Sequence, residues 1–136
     1  MKNNQKTLAV DTTHAYKINV KRMMTMSLNK VWKLITSPKG IKIWLGSVAD
    51  IKFVKKEKYI TKTGIMGEVN LIEKDSHIGL TWQPKEWVKP SLLQISLIPS
   101  GNNTIVSFHH ESLPSAKARK AMQRRWQNVL RNIQNQ

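Results

Sequence analysis

The feature that most constrains the fold is a long two-faced helical pattern at the end of the chain. Pro114 and Ser115 open this pattern, which continues to about Gln134. At about 100° per residue, one arc of the helix is apolar and the opposite side is basic. The apolar arc contains Ala118, Met122, Trp126, Val129, Leu130 and Ile133, and the basic side carries Lys117, Lys120, Arg124 and Arg131. Such a helix must bury its apolar arc against a surface of similar length.

Short β-strand patterns earlier in the chain supply that surface. Tyr16, Ile18 and Val20 alternate with polar residues, which predicts a first strand. Six further strand segments follow, namely IKFVKK, EKYITKTG, GEVNLIEK, HIGLTWQ, LLQISLIP and NTIVSFHH. The first two of these are expected to pair as a hairpin, and turns are predicted at 74–76 and 100–103. The succession predicts an antiparallel meander that grips the C-terminal helix.

Two short helices are predicted between the first strand and the meander. Ser27 can cap a helix whose apolar residues, including Val31 and Trp32, fall at helical spacing. Pro38 ends this helix and can begin a second one over KGIKIWL. The resulting fold class is α+β.

Length and composition restrict the class of protein. The 136 residues fit one domain, assigned to 15–136 after a polar N-terminal tail at 1–14. The absence of cysteine excludes disulfides, thiolate zinc sites and thiol nucleophiles. Because no signal-peptide or membrane-spanning run occurs, a cytoplasmic protein is expected. A net charge of +15 favours polyanionic partners whatever the fold.

Short sequence pieces, found in the same order along nearly the whole chain, resemble one known group of proteins. They are Val31-Trp32, Trp44-Leu45-Gly46, Gly67-Glu68-Val69, Leu80-Thr81-Trp82, the turn from Gly101 to Thr104, His110, and Trp126 to Leu130. Together with the predicted order of elements, they resemble the START-like helix-grip (SRPBCC) proteins, which include the birch pollen allergen. The resemblance is greatest to the bacterial homologues of the activator of the heat-shock protein 90 ATPase.

This resemblance implies both an architecture and a function. The implied fold is a curved antiparallel sheet of about seven strands around a long C-terminal helix, with two short helices after strand one. Relatives use the cavity between sheet and helix to hold lipids, polyketides or other apolar molecules. Chaperone ATPase activation belongs to eukaryotic relatives with an additional domain, and we do not expect it of this chain. The predicted partner is therefore a small apolar or amphipathic molecule.

The candidate ligand contacts are residues expected to face this cavity. Trp82 is in phase with the inward side of its strand, and Trp44 ends the second short helix at the cavity mouth. Trp87 lies between two prolines, where it either covers the entrance or packs on the sheet edge. The full predicted set is Trp44, Met66, Trp82, Trp87, Phe108, His110, Met122 and Trp126. Ordinary core packing remains the alternative for the tryptophans and methionines.

The segment His109-His110-Glu111 contains residue types found in metal sites and in acid/base pairs. Neighbouring strand residues point to opposite faces, so the two imidazoles cannot bind one metal ion. His110 shares the predicted inner face with Phe108, as either a hydrogen-bonded structural histidine or a ligand contact. We predict no metal site and no cofactor.

Enzymatic motifs are scarce in this sequence. Glu68, Glu73 and Glu111 are the candidate carboxylates, but no nucleophile elbow, paired-acid motif, phosphate-binding glycine loop or HExxH run accompanies them. No catalytic residue is assigned. A cyclase- or hydrolase-type enzyme that uses the cavity is one remaining hypothesis.

The basic residues support another hypothesis, a surface module for a polyanion such as nucleic acid or anionic membrane, or for an acidic protein. The candidate residues are Lys52, Lys55, Lys56, Lys58, Lys62, Lys117, Lys120, Arg124 and Arg131. The alternative is a solvated basic face with no specific partner.

Overall fold

Six strands in the described part of the chain form one curved antiparallel sheet. A computed structural model describes residues 16–48 and 51–136. The strands are β1 (Ile18–Met24), β2 (Lys58–Ile60), β3 (Met66–Glu73), β4 (His77–Trp82), β5 (Ser91–Ser100) and β6 (Asn103–Glu111). They lie in the order β1-β6-β5-β4-β3-β2. The meander therefore ends beside β1, and the predicted α+β helix-grip architecture is confirmed. The predicted polar tail at 1–14 lies outside the described residues.

Three helices among these residues begin at serine caps, which a sequence can indicate directly. They are α1 (Leu28–Thr36), α2 (Pro38–Trp44) and α3 (Ala116–Gln134). Ser27, Ser37 and Ser115 each accept a hydrogen bond from a backbone N–H three residues ahead. Pro38 occupies the first turn of α2, where a missing N–H costs nothing. Within the described part of the chain, no helix is long and apolar enough to cross a lipid bilayer.

The core lies between the inner face of the sheet and the three helices. Alternate residues of the central strands supply the sheet side: Ile78, Leu80, Trp82, Leu93, Ile95, Leu97, Val106, Phe108 and His110. The helices contribute Val31, Trp32, Ile35, Ile41, Trp44, Trp126, Val129, Leu130 and Ile133. The predicted inward orientation of His110 is confirmed, because its side chain is fully buried while His109 keeps 35% of its side-chain surface exposed.

The strand predicted over IKFVKK is wrong. Residues 51–56 form a loop with a turn at its end, and Lys56 adopts a positive φ of 76° that a regular strand does not allow. The sheet therefore has six strands. Ile51 and Phe53 nevertheless pack against the core, and the Phe53 ring stacks on Trp44 at 5.8 Å. The alternation in this segment thus reflects which side chains are buried and not a ladder of hydrogen bonds.

Both ends of α3 are joined to the segment around β1. At the C-terminal end, Gln134 accepts a hydrogen bond from the Thr25 backbone N–H at 3.1 Å and donates one to the Thr25 hydroxyl at 2.8 Å. Just before the helix, the Leu113 N–H donates to the Tyr16 carbonyl oxygen at 3.0 Å. These bonds fix the direction in which the helix crosses the sheet.

Replacement of Gly40 by alanine tests the close approach of α1 and α2. A Cβ atom at Gly40 would collide with the Leu34 backbone carbonyl, whereas one at Gly79 would lie 3.4 Å from the Leu71 side chain, an ordinary contact. We expect Gly40→Ala to lower the free energy of unfolding by about 1–3 kcal/mol, as overpacking does. Gly79→Ala, the matched control, should change it by much less in urea titrations. Equal losses in the two variants would show that the helix contact imposes no special restriction.

Candidate ligand-binding cavity

A cavity of about 1110 Å³ lies beside the first half of α3. Three segments form most of its wall: the β4–β5 connection (residues 84–90), the β6–α3 connection (112–115) and residues 117–125 of α3. Tyr16, Thr63, Ile65 and Trp82 complete the lining. The volume slightly exceeds the range of about 300–1,000 Å³ that is usual for small-molecule sites in proteins.

The cavity exists because the apolar arc of α3 is packed only along its second half. From Trp126 onward the arc is buried, with Val129, Leu130 and Ile133 all in the core. No residue of α3 before Trp126 is buried, and two members of the arc, Ala118 and Met122, are half-buried and line the cavity instead. The same helical pattern therefore serves the core at one end and the cavity wall at the other.

The apolar part of the lining is anchored in the core. Trp82 ends β4, has no exposed surface, and packs edge-on against the ring of Trp126 at 5.1 Å between centroids. Ile65 and Leu113 are also buried. Because these side chains are held by the rest of the structure, this side of the cavity is preformed.

His110 lies in a hydrogen-bond chain behind the cavity. The Trp126 indole Nε1–H donates to His110 Nδ1 at 3.1 Å, and His110 Nε2 lies 2.8 Å from Ser91 Oγ. Since indole is only a donor, Nδ1 must accept, so the imidazole proton is on Nε2 and is donated to Ser91. The Ser91 hydroxyl in turn donates to the Trp82 carbonyl oxygen at 2.5 Å. Both ring nitrogens thus have protein partners.

This environment keeps His110 uncharged. Burial, with smaller contributions from the nearby Arg125 and His109 side chains, lowers the pKa of the imidazole to about 3. A neutral ring is what the hydrogen-bond chain requires, because a protonated Nδ1 could not accept from Trp126. The lowered pKa and the hydrogen-bond pattern therefore both indicate a neutral His110 ring.

Arg125 is the most unusual polar residue of the cavity lining. Its guanidinium carbon lies 4.8 Å from the ring centroid of Trp82 and 5.4 Å from that of Trp126. Burial lowers the pKa of this group. Among residues 16–48 and 51–136 the single ion pair joins His109 and Glu111, so Arg125 has no carboxylate partner there. Its Nε is buried without a hydrogen-bond partner in the same part of the chain.

The cavity rim carries Trp87 and several charges. Trp87 is half-buried, packs against the core, and has its backbone carbonyl held by the Gln83 side chain at 2.8 Å. Trp87 therefore both lines the cavity and contacts the core. Lys85, Lys89 and Lys117 also line the cavity, with Glu86 as the carboxylate of this set.

The sequence matches a known family over most of its length. Residues 25–135 match the family described as activator of Hsp90 ATPase homolog 1-like protein. The chain belongs to this family. The predicted resemblance to SRPBCC proteins is confirmed. Among curated proteins no match to the sequence was found.

Several solved structures have the same fold as this chain. Protein MLL2253 from Mesorhizobium loti is 18% identical with a TM-score of 0.77, over 88% of this chain and 94% of that one. An HSP90 activator from Plasmodium falciparum is 21% identical with a TM-score of 0.74, over the same shares. The Aha1 dimer from Colwellia psychrerythraea is 16% identical with a TM-score of 0.72, over 88% and 93%. At these identities the likeness concerns the fold.

Three of the eight predicted ligand contacts line the cavity, namely Trp82, Trp87 and Met122. Four others, Trp44, Phe108, His110 and Trp126, are buried in the core and do not line it. Trp44 donates its indole N–H to the Ile35 carbonyl oxygen at 2.8 Å. Met66 is 47% exposed and borders a separate depression next to Tyr59.

Sequence reasoning missed Arg125 and the β6–α3 connection. At about 100° per residue, Arg125 lies within about 20° of Ala118, at the edge of the apolar arc and away from the other basic residues of the helix. An arginine at that position of the wheel was the available signal. The β6–α3 connection carries no comparable pattern, since its place beside the cavity depends on the path of the chain.

The nine predicted polyanion contacts are all exposed. Lys117 also lines the cavity, and Arg131 donates a hydrogen bond to the Asn128 side chain at 3.0 Å. The histidine pair of β6 gives no chelate: His109 Nε2 contacts Glu111 Oε2 at 3.1 Å on the outer face, while His110 points inward. Within the described ranges no three metal-ligating side chains form a cluster.

The buried His110 predicts a specific loss of stability in acid. The folded-state pKa of about 3 lies below the unfolded value of about 6.5, so on acidification the unfolded chain binds a proton that the folded chain does not accept. The contribution of neutral His110 to the free energy of unfolding is fully present above about pH 6.5. It is lost as the pH falls toward 3, at up to about 1.4 kcal/mol per pH unit. Urea unfolding of wild type and His110→Gln at several pH values should show a flatter slope in the variant. His109→Gln is the control and should keep the His110 contribution, and identical slopes for wild type and His110→Gln would contradict the assignment.

Proposed function

We propose that this protein binds a small apolar or amphipathic molecule in the cavity that the first half of α3 forms with the β4–β5 and β6–α3 connections. The observation that carries the proposal is the division of one apolar arc into a packed half and a half that lines about 1110 Å³ of open space. Members of this helix-grip family often bind hydrophobic ligands, which supports the same reading. The likeness to an HSP90 activator concerns the fold, and chaperone activation is not part of the proposal.

Burial of apolar ligand surface is the expected source of affinity. A ligand that transfers about 500 Å² of apolar surface from water gains about 12 kcal/mol of favourable binding free energy, at about 25 cal/mol per Å². Lost translational and rotational freedom costs about 4 kcal/mol or more. The remainder corresponds to dissociation constants in the micromolar range. The large flat rings of Trp82 and Trp87 supply apolar contact area with few rotatable bonds.

Filling the cavity from α3 tests the proposal. Phenylnaphthylamine, a neutral apolar fluorophore, should bind the wild-type protein saturably with a change in tryptophan fluorescence. Ala118→Trp places an indole in the cavity and should weaken this binding by about tenfold or more, since it occupies the space that the probe needs.

Ala116→Trp is the matched control, because Ala116 begins the same helix, is exposed and does not line the cavity. It should leave the binding of the probe unchanged. Thermal unfolding of both variants verifies that they fold. Absence of probe binding to the folded wild-type protein, or equal binding by the two variants, would refute the proposed site.

The second candidate function is a surface module for a polyanion or an acidic protein. It is favoured by the net charge of +15 and by the exposure of all nine candidate cations, none of which has an ion pair to a described carboxylate.

Binding to duplex DNA or anionic vesicles should then weaken steeply with salt. The double variant Lys120→Glu and Arg124→Glu should abolish this binding to DNA or vesicles.

A further inference from the structure

We propose that the ligand of this cavity is an amphipathic anion, whose acidic oxygens pair with Arg125 while its apolar body contacts Trp82, Trp87 and Met122. The inference rests on the proposed function and names the chemical class of the ligand. Fatty acids, aromatic carboxylates and lipid phosphates share this chemistry.

The first support is the electrostatic state of Arg125. The side chain is half-buried in the wall of the cavity, and it has no carboxylate partner in residues 16–48 and 51–136. Charged groups removed from water are normally paired, since desolvation opposes the charged form. Burial also lowers the pKa of this guanidinium, which remains charged at neutral pH. A ligand oxyanion would supply the missing partner.

The second support is the orientation of the guanidinium. Its position over the Trp82 and Trp126 rings, at 4.8 and 5.4 Å from their centroids, restricts the plane of the group without using its N–H donors. A planar guanidinium held in this way presents its donors along its edge, in the fork that matches a carboxylate or phosphate. The aromatic contacts therefore preorganise Arg125 for an oxyanion and leave its hydrogen-bonding capacity available.

The third support is the number of unsatisfied donors at this point of the molecule. Arg125 Nε and Trp82 Nε1 are both buried and lack a hydrogen-bond partner among the described residues, and both residues line the cavity. Buried donors are rarely left without an acceptor. Two such donors in adjacent side chains indicate an environment that is short of acceptors, and an anion contributes acceptors only.

The net charge of the cavity lining also favours an anionic ligand. The charged lining residues are Arg125, Lys85, Lys89, Lys117 and Glu86, an excess of three positive charges. The three lysines are exposed and lie on the β4–β5 connection and at the start of α3. This field attracts anions toward the entrance, while Arg125 lies further along the helix, next to the buried Trp126.

A matched pair of fluorophores tests the inference. Anilinonaphthalene sulfonate and phenylnaphthylamine share one aromatic skeleton, and only the first carries an anionic group. In the wild-type protein the sulfonate should bind more tightly than the neutral probe. Arg125→Met keeps an unbranched side chain but removes the charge. It should weaken the binding of the sulfonate by about tenfold or more and change the affinity for the neutral probe by less than about twofold.

Arg22→Met is the control, because Arg22 is an exposed arginine of β1 that does not line the cavity and is not one of the nine candidate polyanion contacts. It should leave the affinities for both probes unchanged, while Arg125→Lys should retain part of the preference for the sulfonate. Arg125→Gln replaces Arg125→Met if the latter does not fold. If the Arg125 variants lost affinity for both probes equally, or lost no affinity for the sulfonate, the inference would be overturned while the proposed function stayed intact. Failure of both probes to bind the wild type would overturn both.

Competition separates an amphipathic ligand from a simple anion. Decanoate should displace the sulfonate probe from the wild-type protein at concentrations at least about tenfold below those needed with inorganic phosphate, because only decanoate has an apolar body to bury. Displacement by inorganic phosphate as effective as that by decanoate would contradict the amphipathic class and leave only an oxyanion site.

Discussion

The packing of Trp126 against the inner face of the sheet is the contact on which the rest of the structure depends. Its ring is fully buried, lies 4.9 Å from Phe108 and 5.1 Å from Trp82, and is fixed by the hydrogen bond to His110. An amphipathic helix is stable only where its apolar arc is covered, and Trp126 is the first residue of α3 that meets this condition. It therefore marks the border between the core and the cavity.

The features of the candidate site follow from this border. Toward the C-terminus the helix packs on the sheet and its end is tied to Thr25, so the angle of the whole helix is determined there. Toward the N-terminus the same arc lines open space. Arg125 stands directly before the border, and its charge lies against rings that belong to the core. A rigid aromatic base beneath a cation without a described carboxylate partner is the arrangement from which we infer an anionic ligand.

Much of the fold could be predicted from the sequence, because local patterns determine the elements. The helical spacing of the arc, the cap at Ser27 and the period of two in β6 each depend on neighbouring residues, and the structure confirms these predictions. The predicted strand over 51–56 was wrong because alternation reports burial, and Ile51 and Phe53 are partly buried in a loop.

The site was predicted less well, because a helical wheel gives the direction of a side chain and not the place along the axis where the sheet stops covering the helix. Met122 and Trp126 share one arc, yet one lines the cavity and the other is core. The central claim is that a ligand occupies the space beside the first half of α3. Its most direct test is an NMR titration of the indole N–H signals with an apolar ligand. The signals of Trp82 and Trp87 should shift strongly while that of Trp44 stays in place. Unchanged signals of Trp82 and Trp87 on binding of the ligand would contradict the claim.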